Sequence, residues 1–218
     1  MTTVRARVLI RRYKDFAFFG TAQEAMNALS QGVPVVILGA YFGPAVAGAY
    51  SLAMRVLLAP AQLLGGAMRQ VLSQRFSRMV SNRQSLAAEF RALTYGTAVP
   101  VLFGAFVLAP FLPDLFEVIF GSSWRVAGEY SSWLIAWAAF LIFNVPASVV
   151  MRVTRRQKEN FLLNSAILVS RLLCLVWGAL QWDPKSTIVA LAVLGVVWNI
   201  VLIALASRYV GTQPKAVL

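Results

Sequence analysis

Four groups of polar side chains interrupt stretches of this chain that are otherwise apolar, and their spacing follows the helical repeat. Glu24, Asn27 and Gln31 stand three and four residues apart, Arg55 and Gln62 seven, Asn144 and Ser148 four, and Asn164 and Arg171 seven. Each step returns to the same helix face. A polar group inside a bilayer is costly unless it faces a bundle interior, another polar group or water. Arg55 lies eleven residues after Pro44, and Arg171 thirteen before Pro184, roughly 17 and 20 Å from those turns at the helical rise. A hydrocarbon half-thickness of about 15 Å puts both near the midplane. Two arginines at that depth with no acid at their level need anionic company or water. A cavity that receives a negatively charged head group supplies both.

The candidate cavity set is Arg55, Arg171, Glu24, Asn27, Gln31, Gln62, Asn144 and Asn164. A second reading stays open for each. The arginines can bond backbone carbonyls and tie the bundle together, Glu24 can reach the cytoplasmic interface, and the amides and Ser148 can serve as interhelical hydrogen-bond glue.

Chemistry of other kinds has no constellation to carry it. The chain has no histidine and one cysteine, Cys174, so disulfide frameworks, His catalysis and His or Cys metal clusters are excluded. It contains no Gly-rich phosphate loop ending in Lys and Ser or Thr, no His-Glu-x-x-His and no Gly-x-Ser-x-Gly. The expectation is a protein without enzymatic activity, cofactor or metal.

The elements that position these residues follow from composition. Of 218 residues 59% are hydrophobic and 13% charged, against about 25% charged in soluble domains. The charges collect between long apolar runs, so the expected class is all-α, a polytopic six-helix transmembrane bundle. Spans are expected near 17–41, 46–68, 91–112, 127–150, 161–181 and 187–207, each close to the roughly 20 residues a bilayer requires. The net charge of +12 flanks these runs rather than lining a soluble face with aromatics, which argues against nucleic acid. Residues 1–14 form a basic segment whose Val8-Leu9-Ile10 run is too short for a signal peptide; residues 15–210 form the transmembrane unit and 211–218 a short tail.

Lys and Arg set the orientation. Sixteen fall on one side, from Arg5 to Lys14, Arg69 to Arg91, Arg152 to Lys158, and Arg208 with Lys215; the other side holds Arg125 and Lys185 beside Asp114, Glu117, Glu129 and Asp183. The basic side is therefore expected to be cytoplasmic, with both termini there. Trp124, Trp133, Trp182 and Tyr130 sit near the opposite ends of spans, as interfacial aromatics do. Phe116–Tyr130 reads as a short helix in the outer interface. Phe42-Gly43-Pro44 makes a tight hairpin, and Pro34, Pro60, Pro100 and Pro146 fall inside spans, where each tends to kink its helix.

Several stretches resemble the polysaccharide (O-antigen type) flippases of the MATE-like exporter superfamily. Tyr13-Lys14-Asp15-Phe16 with Asn27-Ala28-Leu29-Ser30-Gln31 is similar to their seventh helix, and Gly39 to Val56 to the hairpin into the eighth. The outer motif Phe120-Gly121-Ser122-Ser123-Trp124-Arg125-Val126-Ala127-Gly128-Glu129-Tyr130 looks like the same family. The resemblance, from about residue 11 to about residue 208, implies one of two six-helix lobes that rock around a central cavity. It implies transport of an undecaprenyl-diphosphate-linked oligosaccharide from the cytoplasmic to the periplasmic leaflet of a bacterial inner membrane. Expected partners are that lipid-linked oligosaccharide, membrane lipid, and a second lobe or a homodimer mate. A small-molecule or cation exporter, or a non-transporting scaffold for polysaccharide assembly, are the alternatives.

Overall fold

The computed structural model describes residues 29–211 apart from Arg155. Glu24, Asn27, the segment 1–14, residues 17–28 of the first expected span and the last seven residues lie outside the described residues. Every regular element described is helical. Five helical stretches are long and apolar enough to cross a membrane, and a shorter apolar helix, α1 (Leu29–Phe42), precedes them.

Helix α1 turns into α2 (Pro44–Ser81) at Gly43, whose φ of 92° belongs to glycine alone. Pro44 then opens α2, where its missing N–H costs nothing. Gly39 stands against Ala47, so small residues close the hairpin. At 38 residues, α2 runs roughly 57 Å, well past the span expected at 46–68. Beyond Met68 the buried apolar residues thin to Leu72 and Phe76, four apart. That is enough to hold a helix face against neighbours but too little to register as a membrane span. Arg83, in the left-handed region at φ 55°, ends the helix, and the Gln84 N–H donates to the Met79 carbonyl (2.8 Å). This is the Schellman arrangement, with arginine where glycine is usual.

Helix α3 (Ala87–Leu108) passes through a 3₁₀ turn, Ala109–Phe111, into α4 (Leu112–Phe120). The short outer helix thus begins earlier than the expected Phe116–Tyr130. Pro113 and Asp114 in its first turn favour a start there, and Gly121 at φ 97° stops it. A second 3₁₀ turn, Ser122–Trp124, leads to α5 (Arg125–Phe143). Trp124, Trp133 and Trp182 are exposed, whereas Tyr130 is buried in the core rather than at the interface.

The fourth expected span, 127–150, is broken in two. Asn144 separates α5 from α6 (Val145–Val153), because Pro146 at the second position of α6 cannot continue the preceding ladder. Helices α7 (Gln157–Gln181) and α8 (Pro184–Gly211) complete the chain. Asp183 caps α8: its Oδ2 accepts from the Lys185 and Ser186 N–H groups at 3.0 and 3.2 Å. These bonds, chiefly those from Ser186, hold the Asp183 carboxyl below its ordinary value.

Two hydrophobic clusters fill the bundle. The outer one joins Leu38 of α1, Tyr50 and Leu57 of α2, Phe116, Leu134 and Trp137, Leu175 of α7 and Ile188 of α8. The inner one joins Leu72 and Phe76 of α2 with Phe90, Val145, Val149 and Val150, and Ala206 and Val210 of α8. Asn144 stands where the fourth span passes from one to the other.

Candidate functional site

The hairpin leaves a cleft of about 270 Å³ between α1 and α2, lined by Gln31, Val35, Tyr50, Ser51, Met54, Arg55, Leu58 and Gln62. Positions 51, 54, 55, 58 and 62 recur at helical spacing and make one stripe of α2. The wall alternates: Val35, Met54 and Leu58 are apolar, while Gln31, Arg55 and Gln62 are polar and exposed. Pro60 lies between Arg55 and Gln62 inside α2 and cannot donate to the Val56 carbonyl, which frees an acceptor in the same stretch.

Arg55 makes no ion pair and no hydrogen bond among the described residues. Four of the described acids are engaged elsewhere: Glu89 with Arg75 at 2.8 Å, Asp114 and Glu117 with Arg125, and Glu159 with Arg156 at 2.9 Å. A bare guanidinium is costly against lipid, and in this cleft Arg55 is exposed to whatever enters it. Its five donors suit a phosphate or carboxylate.

Arg171 sits apart from this lining. Its Nη1 donates to Ser30 Oγ (3.2 Å), and its guanidinium lies 5.3 Å from the Trp137 ring centroid, a cation–π distance. Tyr50 faces it within electrostatic reach, yet the Tyr50 hydroxyl and Arg171 Nε are buried without hydrogen bonds. Arg171 therefore ties α7 to α1 and α5, with α2 beside it.

The two asparagines also turn away from the cleft. Asn144 donates to Asn199 Oδ1 across the bundle, and Asn199 donates in turn to the Gly195 carbonyl (2.7 Å). Both side chains are buried, so this pair is an interhelical bond and not a lining. Asn164 donates to the Asn160 carbonyl on its own helix (2.7 Å), and Ser148 to the Val145 carbonyl (2.8 Å). Of the expected set, Gln31, Arg55 and Gln62 come together. Asn199, Tyr50, Ser30 and the Trp198 to Ser170 bond (2.8 Å) went unselected in the sequence. Asn199 was findable as a lone amide in an apolar span; Ser30 and Tyr50 carry no local signal.

No cluster of three His, Cys, Asp or Glu side chains able to hold a metal is present among the described residues. What the arrangement can do is bind: one free cation and two amides on a half-apolar wall, in a membrane bundle of the kind that moves or holds solutes. A family described as polysaccharide biosynthesis protein matches residues 3–129, and the chain belongs to that family. It is also 33% identical over 115 residues to the succinoglycan biosynthesis transport protein ExoT of Rhizobium meliloti (strain 1021). That match covers 51% of this chain and 23% of the relative, so the chain spans about a quarter of its length. No solved structure matches the chain.

Proposed function

We propose that this chain works in membrane transport for polysaccharide assembly, carrying an undecaprenyl-diphosphate-linked oligosaccharide from the cytoplasmic to the periplasmic leaflet of a bacterial inner membrane. Both termini face the cytoplasm in this reading, residues 17–41 supply a sixth span, and a second lobe or a second copy closes the cavity. The family and the similarity to a succinoglycan transport protein support the class of cargo. The observation that carries the mechanism is Arg55, exposed in the α1–α2 cleft at membrane depth with no partner among the described residues. It meets the diphosphate, while Gln31 and Gln62 hydrogen-bond neighbouring polar groups and Val35, Met54 and Leu58 face the polyprenyl chain. The site is complementary to an anion. No carboxylate lines the cleft among the described residues, which disfavours cation exchange.

The test is transbilayer movement of a radiolabelled undecaprenyl-diphosphate oligosaccharide in proteoliposomes holding the wild-type chain, Arg55→Ala or Arg171→Ala. Wild-type movement that Arg55→Ala abolishes, with the protein still folded, supports the reading. Absence of movement with the wild-type chain supplied with its second lobe sinks it.

A further inference from the structure

The arginines at the two ends of the bundle are in different states. At the acidic end, Arg125 is held by Asp114 at 2.7 Å and by Glu117. At the basic end the described residues include eight arginines and two glutamates, and those glutamates are occupied by Arg75 and Arg156. Arg69, Arg91 and Arg152 are exposed and make no ion pair among the described residues; Arg91 turns its Nε to the Ala87 carbonyl of its own helix (3.3 Å).

Their depths agree although they sit on three different elements. Arg69 is 25 residues past Pro44 on α2, Arg152 is 27 past Arg125 along α5 and α6, and Arg91 is 22 before Pro113 along α3, the 3₁₀ turn and the start of α4. At the helical rise these are roughly 38, 40 and 33 Å from the outer ends. The far hydrocarbon boundary lies about 30 Å away, and the head-group layer extends about 5 to 8 Å beyond it. The three backbone positions lie in or just beyond that layer, close enough for an arginine side chain to set its guanidinium among the phosphates of the basic-side leaflet, on elements that the inner hydrophobic cluster packs together.

We infer that Arg69, Arg91 and Arg152 form a collar that binds the phosphate groups of anionic phospholipids in that leaflet. Orientation needs only the count of basic residues; this reading concerns their level and their freedom from acids. Guanidinium groups at phosphate depth with no carboxylate in competition bind a phosphodiester with two parallel N–H bonds. Arg125, by contrast, already has its charge met by Asp114 and Glu117.

The experiment places the purified full chain in nanodiscs of phosphatidylcholine containing a minor fraction of fluorescent phosphatidylglycerol or fluorescent phosphatidylcholine. Energy transfer from the native tryptophans reads how much of each lipid sits at the protein. The wild-type chain is expected to enrich the anionic lipid, with about a fivefold loss for each collar arginine changed to Gln at low salt. Arg125→Gln keeps the enrichment. Equal transfer from both lipids in the wild-type chain overturns the collar, as does a folded Arg69→Gln/Arg91→Gln/Arg152→Gln chain that retains the preference. Should the triple variant fail to fold, single changes at the exposed Arg91 and Arg152 decide the matter, and undiminished enrichment in both overturns it equally.

Discussion

The α5–α8 contact and the α1–α2 cleft both place polar groups at membrane depth and treat them in opposite ways. Between α5 and α8, Gly195 carries no Cβ, so the Trp137 ring can lie where one would stand. The helices then approach closely enough for Asn144 to reach Asn199. The Asn199 carbonyl oxygen answers the Asn144 amide, and Asn199 itself donates to the Gly195 carbonyl of its own helix. Between α1 and α2 the walls diverge around Arg55, Gln31 and Gln62, and Arg55 is answered by nothing among the described residues. The two regions draw on similar side chains. The difference is clearance, which is decided by what stands beside the polar group and not by the group itself.

The sharpest way to break this contrast is to fill the notch. Gly195→Leu forces Trp137 aside and should cost about 3 kcal/mol, the upper end of overpacking. A lower thermal midpoint in detergent, partly restored by adding Trp137→Ala, checks it. Next comes Asn199→Leu, which strands the Asn144 amide and should cost about 1 to 2 kcal/mol. The Asn144→Leu/Asn199→Leu double variant should cost less than the two single changes together, since it leaves no orphan; strict additivity in denaturation would remove the pair from the account.

A smaller effect belongs to the α8 cap. The Asp183 carboxyl is depressed in the folded chain, so its contribution is present above the ordinary aspartate value and is lost as pH falls through the folded one. Asp183→Asn should flatten that acid-side decline, with a small fall of the midpoint at neutral pH where the charged cap contributes. The smallest effect on stability is expected in the cleft. Arg55→Gln should shift unfolding by no more than about 0.5 kcal/mol, as at sites without partners. A large loss of stability would mean that Arg55 holds the bundle together as Arg171 does.

Much of the architecture was written in hydropathy. Apolar runs and the Phe42-Gly43-Pro44 and Asp183-Pro184 breakers located five spans and two hairpins, because lipid demands long uncharged helices and turns demand special residues. The inner half of α2 escaped that logic, since Leu72 and Phe76 bury a stripe amid arginines and only the neighbouring helices reveal that the stripe is covered. The break at Asn144 was half legible: Pro146 announced a kink, while the partner that pins it lies 55 residues on and leaves no local trace. The site divided in the same way. Arg55 and Gln62 share one helix, so spacing sufficed to unite them. Arg171 and Asn164 also share one, yet Asn164 bonds its own backbone and Arg171 finds Ser30 and Trp137 on other helices. Periodicity reports which residues share a face and is silent on what the face meets.

The length of α2 has a mechanical meaning. A continuous helix of roughly 57 Å that starts at the Gly43 turn acts as a lever to the extent that it moves as one piece across Pro60: tilting it by about 5° there would sweep Ser81 through roughly 5 Å. Arg75 is bonded to Glu89 of α3, and Leu72 and Phe76 are set among α6 and α8, so the far end cannot swing alone. A small opening beside Arg55 would arrive at the basic end multiplied, carrying three other helices with it.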